Sequence, residues 1–378
     1  MKLTELETPA LVLDRARLER NIARMRGHIA QLNVNLRPHV KTAKSIEVVR
    51  RALEGQRGGI TVSTLAEAEY FFGHGIKDIL YAVGIAPNKL AHVADLRRRG
   101  ADVTVLLDSA DAAAALVADA RRYGVQFPAL IEIDSDGHRS GVQPGDPRLV
   151  EIARMLDAGP GTVLAGVMTH AGDSYNCRST EAIGVMAERE RAAVVSCAAE
   201  LARAGLPCPV VSVGSTPTAT FAKDLTGVTE VRAGVYMFFD LVMAGLGVCA
   251  IDDVAVSVLA TVIGHQPEKG WIITDAGWMA LSRDRGTAKQ AVDQGYGLVC
   301  DAAGKPLDDL IVADTSQEHG IVARRGGGAI DPARFPVGAQ LRILPNHACA
   351  TAAQHTRYHV VAGGAKSVEA VWERIAGW

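Results

Sequence analysis

The run DVTVLLDSADAAAALVADARRYGVQFPALIEID, residues 102–134, decides the fold class. It opens on DVTVLL (102–107), a short apolar run rich in the β-branched residues that fit a pleated strand. Asp108–Tyr123 then sets Ala, Leu and Val against Asp and Arg at helical spacing. PALIEID (128–134) is a second apolar run. Strand, helix and strand in this order read as a βαβ unit, which pairs its strands in parallel.

The alternation continues outward from this segment. On the N-terminal side lie LRPHVK (36–41), GITV (59–62) and DILYA (78–82); on the C-terminal side lie TVLAGVMTH (162–170), PVVSV (209–213) and TEVR (229–232). Amphipathic stretches such as Glu181–Ala204 separate them. Ala10–Leu13 is a further short strand, after which Asp14 caps a helix with Leu18, Ile22 and Met25 on one face. Nine candidate strands over roughly 240 residues match the size of a (β/α)8 barrel, so the expected fold class is α/β, with the barrel over residues 10–252. The first strand has a place outside the barrel as an alternative. A doubly wound sheet is the competing arrangement, which periodicity alone does not separate.

Beyond residue 252 the texture changes. VAVSVLATVIG (254–264), GWIITDAG (270–277), LRIL (341–344) and YHVVAG (358–363) dominate, and long helical patterns thin out. A mostly-β C-terminal domain over 253–378, joined by residues 1–9, is expected. RRGGGA (324–329) reads as a flexible loop tip.

Composition narrows the function. Of 378 residues, 48% are apolar and 22% charged, with a net charge of −2; this gives no basis for a nucleic-acid or anionic-membrane partner. The longest membrane-like stretch is about ten residues against the ~20 a spanning helix needs. MKLTELETPA carries no apolar core of a secretory signal, and the six cysteines have no CxxC spacing, so a cytoplasmic protein is expected.

Five segments carry candidate chemistry. Lys41 lies in RPHVKT (37–42) at the C-terminal end of a strand, where barrel chemistry collects and where desolvation frees an amine for attack on a carbonyl; a surface lysine fits the same pattern. SVGSTPT (212–218) places Gly214, Ser215 and Thr216 at a strand-to-helix turn, suited to a phosphate or simply to a helix cap. EVRAGVY (230–236) offers Gly234 for close backbone approach and Arg232 as a permanent cation, or a structural ion pair through Glu230. DSDGHRSG (134–141) has the texture of a barrel top loop, equally that of a solvated one. In NHAC (346–349), a continuing strand would point His347 and Cys349 to one face, where imidazole and thiolate suit zinc; a buried cysteine beside a packed histidine is the plain alternative.

In order along the chain, TPALVLD (8–14), RPHVKT, DGHRSGV, HAGDSY (170–175), VGSTPT, EVRAGVY, DAGWMALSRD (275–284), SQEHG (316–320) and NHACAT (346–351) resemble the D-serine dehydratase and D-threonine aldolase family, which has an alanine-racemase-like barrel. The run VRAGVYMFFDLVM (231–243) is similar to the bacterial hydroxyaspartate-dehydratase branch. The resemblance implies pyridoxal 5'-phosphate on Lys41. It places the cofactor phosphate at Gly214, Ser215, Thr216 and the Gly234–Val235 backbone, Arg139 near the phenolic oxygen and Arg232 near the pyridine nitrogen. His170 and Tyr175 match the substrate-side segment. His347 and Cys349 match ligands of a divalent metal (zinc, manganese, cobalt or magnesium). The implied activity is a carbon–oxygen lyase, or ammonia-lyase, acting on a small β-hydroxy-D-amino acid, D-threo-3-hydroxyaspartate and/or D-serine. The products are a 2-oxo acid and ammonia. Aldolase members tend to carry HxD, so HxC tilts the expectation to the dehydratase. An aldolase, or a non-catalytic pyridoxal-phosphate carrier, is the alternative. A homodimer is expected. Arg283, Arg285 and Lys289 form a basic loop that suits a substrate carboxylate, or only solvent.

Overall fold

The computed structural model describes residues 1–137 and 139–378. Its contacts divide the chain into two units: residues 24–234 with 377–378, and residues 1–23 with 235–376. The first strand, β1 (Ala10–Asp14), belongs to the second of these.

The first unit is a barrel. Its strands are β2 (Asn35–Pro38), β3 (Ile60–Val62), β4 (Asp78–Gly84), β5 (Asp102–Leu107), β6 (Phe127–Ile133), β7 (Thr162–Thr169), β8 (Val210–Val213) and β9 (Glu230–Ala233). All pair in parallel in the order β2-β9-β8-β7-β6-β5-β4-β3. A bridge between His39 and Thr61, with Val40 N–H donating to the Thr61 carbonyl at 2.9 Å, nearly closes the ring. That bridge decides against the doubly wound sheet, whose edge strands stay apart.

Two of the longer barrel helices start where the sequence supplies a hydroxyl. Ser109 Oγ accepts from Ala112 N–H at 3.3 Å and Ser179 Oγ from Ala182 N–H at 3.2 Å, opening the helices Ala110–Tyr123 and Thr180–Arg203. Each such cap stabilises its helix by about 1 kcal/mol. The helices bury one stripe each, Ala113, Leu116 and Ala120 on the first and Ile183, Val194, Cys197 and Leu201 on the second.

The second unit is built on a nine-stranded sheet. With β1 it comprises β10 (Val256–Gln266), β11 (Trp271–Thr274), β12 (Leu298–Cys300), β13 (Pro306–Thr315), β14 (Gly320–Arg324), β15 (Gln340–Leu344), β16 (Arg357–Val361) and β17 (Val368–Glu373). Every pairing is antiparallel except β1 with β16. Because β1 lies between β10 and β16, residues 1–23 group with this sheet, against the 1–9 expected from sequence. At the other boundary the grouping changes at 234/235 instead of 252, since the segment after β9 packs with the sheet's own connections. Asp14 does cap the following helix, accepting from Arg17 N–H at 3.2 Å, and Leu18 and Ile22 are buried. The expected loop tip 324–329 is tethered at Arg325, which donates to Asp309 Oδ1 at 2.7 Å and Gln294 Oε1 at 2.8 Å and also bonds the Asp293 carbonyl.

Candidate functional site

At the C-terminal end of the barrel, β2 runs out at Pro38 and the chain turns through Lys41. Lys41 is exposed, so the chain itself does not supply the desolvation expected from the apolar run before it. His39, two residues earlier, donates its N–H to the Ala233 carbonyl at 2.7 Å. Its Nδ1 is buried with no hydrogen-bond partner among the described residues.

His170 follows β7. Its Nδ1–H donates to the Gly214 carbonyl at 2.8 Å, which makes Nε2 the acceptor nitrogen. Its ring centroid is 6.5 Å from that of Tyr175. Burial, chiefly, lowers its pKa to about 3, with Arg232, Lys41 and Arg139 adding to the effect against the Gly214 bond. His39 is likewise held well below the ordinary value, by burial first and then by Lys41 and Arg232. Three cations therefore bear on His170 and two of them on His39, a charge pattern that suits an anionic ligand. Arg232 is buried and donates to Ser212 Oγ at 2.7 Å and the Thr169 carbonyl at 2.5 Å. Arg139 is exposed, with Glu132 at 3.4 Å; His138 beside it lies outside the described residues.

The two glycines singled out in the sequence are explained by packing between strand ends. A Cβ on Gly214, whose φ is +139°, would lie 2.0 Å from the Arg232 carbonyl oxygen. One on Gly234 would lie 2.8 Å from the His39 carbonyl oxygen and 3.0 Å from Thr42 Oγ1, so this glycine lets the Lys41 turn lie against β9. The Gly214–Thr216 turn is already internally bonded. Gly214 N–H donates to Glu190 Oε1 at 3.0 Å, Ser215 N–H to Thr218 Oγ1 at 3.1 Å, and Ser215 Oγ caps the helix Thr216–Phe221. Val235 is buried and is the first residue of the second unit.

Glu190 went unnoticed in the sequence. It sits in the middle of the helix Thr180–Arg203, where a carboxylate usually marks a solvated face, yet it is buried. One of its oxygens accepts from both Ala171 N–H (2.9 Å) and Gly214 N–H (3.0 Å), joining the ends of β7 and β8. Burial raises its pKa against these bonds.

In the second unit the strand expected to carry His347 and Cys349 stops at Leu344. His347 is instead the N-cap of the short helix Ala348–Ala352, and Cys349 its second residue. The two side chains still meet, because a helix start also turns nearby residues together; His347 is hydrogen-bonded to Cys349. His347 Nδ1 bonds Asp284 Oδ2 at 2.7 Å. Burial opposes charge on His347, but the bonds to Asp284 and Cys349 and the charges of Cys349 and Asp240 outweigh it, raising the pKa to about 11. Asp240 supports the turn, accepting from Ala348 N–H at 2.9 Å and Met243 N–H at 2.9 Å. Asp284 and Asp240, like Glu190, were missed. An imidazole whose Nδ1 is held by a carboxylate presents Nε2 to a metal, and with a thiolate beside it the donor set suits zinc and leaves coordination positions open. Among the described residues no group of three or more His, Cys, Asp or Glu is arranged so that it could hold a metal ion.

The basic loop does not form one cluster of available cations. Arg283 lies over the Trp278 ring at 4.3 Å, and Arg285 pairs with Asp293 at 2.7 Å. Lys289 is exposed.

Residues 13–242 match the model for "Alanine racemase, N-terminal domain", and residues 255–361 match "Putative serine dehydratase domain". The chain is 57% identical to D-threo-3-hydroxyaspartate dehydratase of Delftia sp. (strain HT23), over 100% of this chain and 99% of that one. The chain belongs to the D-serine dehydratase family with the alanine-racemase fold. Within this family, D-serine dehydratase of Dictyostelium discoideum is 30% identical, over 95% of this chain and 94% of the relative. A solved structure described as a cysteine-to-alanine mutant of D-threo-3-hydroxyaspartate dehydratase in the metal-free form is 56% identical. It covers 100% of both chains with a TM-score of 0.97. Pyridoxal phosphate fits a family of this fold.

Proposed function

We propose that the chain is a pyridoxal-phosphate- and divalent-metal-dependent dehydratase. It removes water from a β-hydroxy-D-amino acid, D-threo-3-hydroxyaspartate and/or D-serine, to give a 2-oxo acid and ammonia. The observation that carries this reading is 57% identity along the whole chain to a dehydratase of that substrate. The charge pattern at the barrel mouth and the paired donors of the second unit support it.

When bound, the cofactor supplies an electron sink for charge developing at Cα, and the metal a Lewis acid for a departing β-hydroxyl. Lys41 would hold the cofactor and move the proton at Cα. Because it works from one face, L-enantiomers are inert. Arg232 would donate to the ring nitrogen and keep it unprotonated, and Arg139 would offset the negative charge of the phenolic oxygen. The Gly214–Thr216 turn and the Gly234–Val235 backbone would take the phosphate, with the turn held in shape by Glu190. His170 stays neutral and orients the substrate side with Tyr175. His347 and Cys349 would hold the metal, the imidazole aligned by Asp284. The choice among zinc, manganese, cobalt and magnesium falls on zinc, which suits an imidazole–thiolate pair. A homodimer in the cytoplasm belongs to the same reading. All six cysteines are free, which fits a reducing compartment, and no helix among the described residues is long and apolar enough to cross a membrane.

Product analysis tests the proposal. D-threo-3-hydroxyaspartate should yield oxaloacetate and ammonia, and D-serine pyruvate and ammonia. Glycine as the main product, with glyoxylate or formaldehyde and little ammonia, would establish the aldolase instead.

A further inference from the structure

Behind Arg232 the barrel interior holds a line of charged and polar side chains to which the proposed chemistry gives no role. Glu230 and Arg232 are two apart in β9 and so share the inward face. Ser212 in β8 is the register partner of Glu230, and Arg37 in β2 that of Arg232. Ser212 is fully buried and Glu230 nearly so.

The direction of each bond in this line follows from donor chemistry. A guanidinium only donates, so Ser212 Oγ accepts from Arg232 at 2.7 Å. The single hydroxyl proton of Ser212 then goes to Glu230 Oε1, also at 2.7 Å. The other oxygen of Glu230 accepts from Arg37 Nε at 2.7 Å. Arg37 completes the line with a two-pronged contact to Asp78 at 2.8 and 3.1 Å. Arg37 and Glu230 are both mostly buried, whereas Asp78, at the start of β4, is 47% exposed.

Arg232 is the telling member. Among the described residues its direct partners are a hydroxyl and a carbonyl, both neutral. A buried cation without a carboxylate of its own needs its charge offset by other means. Here the offset comes at one remove, from Glu230 through Ser212, with Glu190 and Glu132 further away. Two of its nitrogens are pinned to the barrel wall, which fixes the direction of the rest of the guanidinium.

We propose that the Arg232–Ser212–Glu230–Arg37–Asp78 relay sets the orientation and charge of Arg232 toward the cofactor ring, making Ser212 and Glu230 positioning residues for the reaction. This rests on the reading that Arg232 faces the pyridine nitrogen. Removing the carboxylate charge makes the surroundings of the ring more positive and disfavours protonation there.

The experiment follows the visible absorption band of the holoenzyme, loaded with pyridoxal phosphate, as a function of pH. Three variants are compared with wild type: R232K, E230Q and S212A. R232K should alter the band. E230Q should move the pH midpoint of the band downward by about one unit or more, the scale of a neighbouring charge within a few ångströms. S212A, which deletes a single oxygen, should move it in the same sense by less, and it reads the coupling should E230Q fold poorly. In both, kcat should fall about tenfold with KM little changed, the pattern of lost transition-state stabilisation. An unaltered band and midpoint in E230Q and S212A, with R232K altered, would show the relay to be structural only and overturn the proposal. An unaltered band in R232K would remove Arg232 from the ring and sink the reading beneath it.

Discussion

His170 at the barrel mouth and His347 in the antiparallel unit are driven in opposite directions by their surroundings. Burial takes His170 down to about 3, helped by Arg232, Lys41 and Arg139. His347 faces burial too, yet Asp284, Cys349 and Asp240 bring it up to about 11. The same residue type is thus a neutral group in a field of cations in one unit and a cation among anions in the other. The first field is prepared for a negatively charged ligand and the second for a positively charged one. The proposed cofactor phosphate and divalent metal would thus each meet surroundings of opposite charge, one in each unit.

Lys41→Ala strikes at the first field and should have the largest effect. The visible band should vanish, borohydride should fix no cofactor to the chain, and turnover should drop by at least about 10³-fold, within the usual range for loss of a proton-transferring group. A borohydride-fixed cofactor in this variant would move the attachment to another lysine and break the barrel half of the comparison.

His347→Ala and Cys349→Ala address the second field alone. Elimination should fall by about 100-fold or more, the scale of lost electrostatic stabilisation at a departing group, while the cofactor band stays in place. Chelation should imitate both. Full activity in a metal-free preparation would leave the anionic cluster as a structural feature and remove its proposed ligand.

The smallest effect concerns acid stability. The folded chain keeps His170 neutral down to about pH 3, whereas an unfolded chain binds a proton near the ordinary value of 6.5. Between those limits the unfolded state holds more protons, so stability declines as pH falls below about 6.5, by up to about 1.4 kcal/mol per pH unit for this histidine, and is flat above. In His170→Gln the loss of urea resistance between pH 7 and pH 4.5 should be smaller than in wild type. An equal loss in both would mean that His170 does not resist protonation.

The barrel was legible because parallel strands covered on both faces read as unbroken apolar runs. DVTVLL coincides with β5, and PALIEID is one residue out of step with β6. The antiparallel unit was less so. β17 buries only Trp372 among its six residues, and β13 and β14 lack a long apolar run. The membership of β1 depends on partners in β10 and β16, which no local pattern reveals. In the candidate site, Lys41, His347 and Cys349 stood out through the motifs around them. Glu190 and Asp284 did not, since a carboxylate in a helix or loop resembles a solvated one until its distant partner is known. Gly214 and Gly234 stood out as places where a backbone could approach a phosphate; the structure adds a packing requirement at each, because the backbone each one admits belongs to a neighbouring strand end.

The placement of β1 has a consequence for synthesis. Its neighbours in the sheet begin at Val256 and Arg357, so both edges of this strand stay unpaired long after it leaves the ribosome. From Asp14 to Val256 is 242 residues, about 12–48 s at 5–20 residues per second. Throughout that interval ALVLD is an apolar strand with open hydrogen-bonding edges, an attachment point for other nascent chains or for a chaperone.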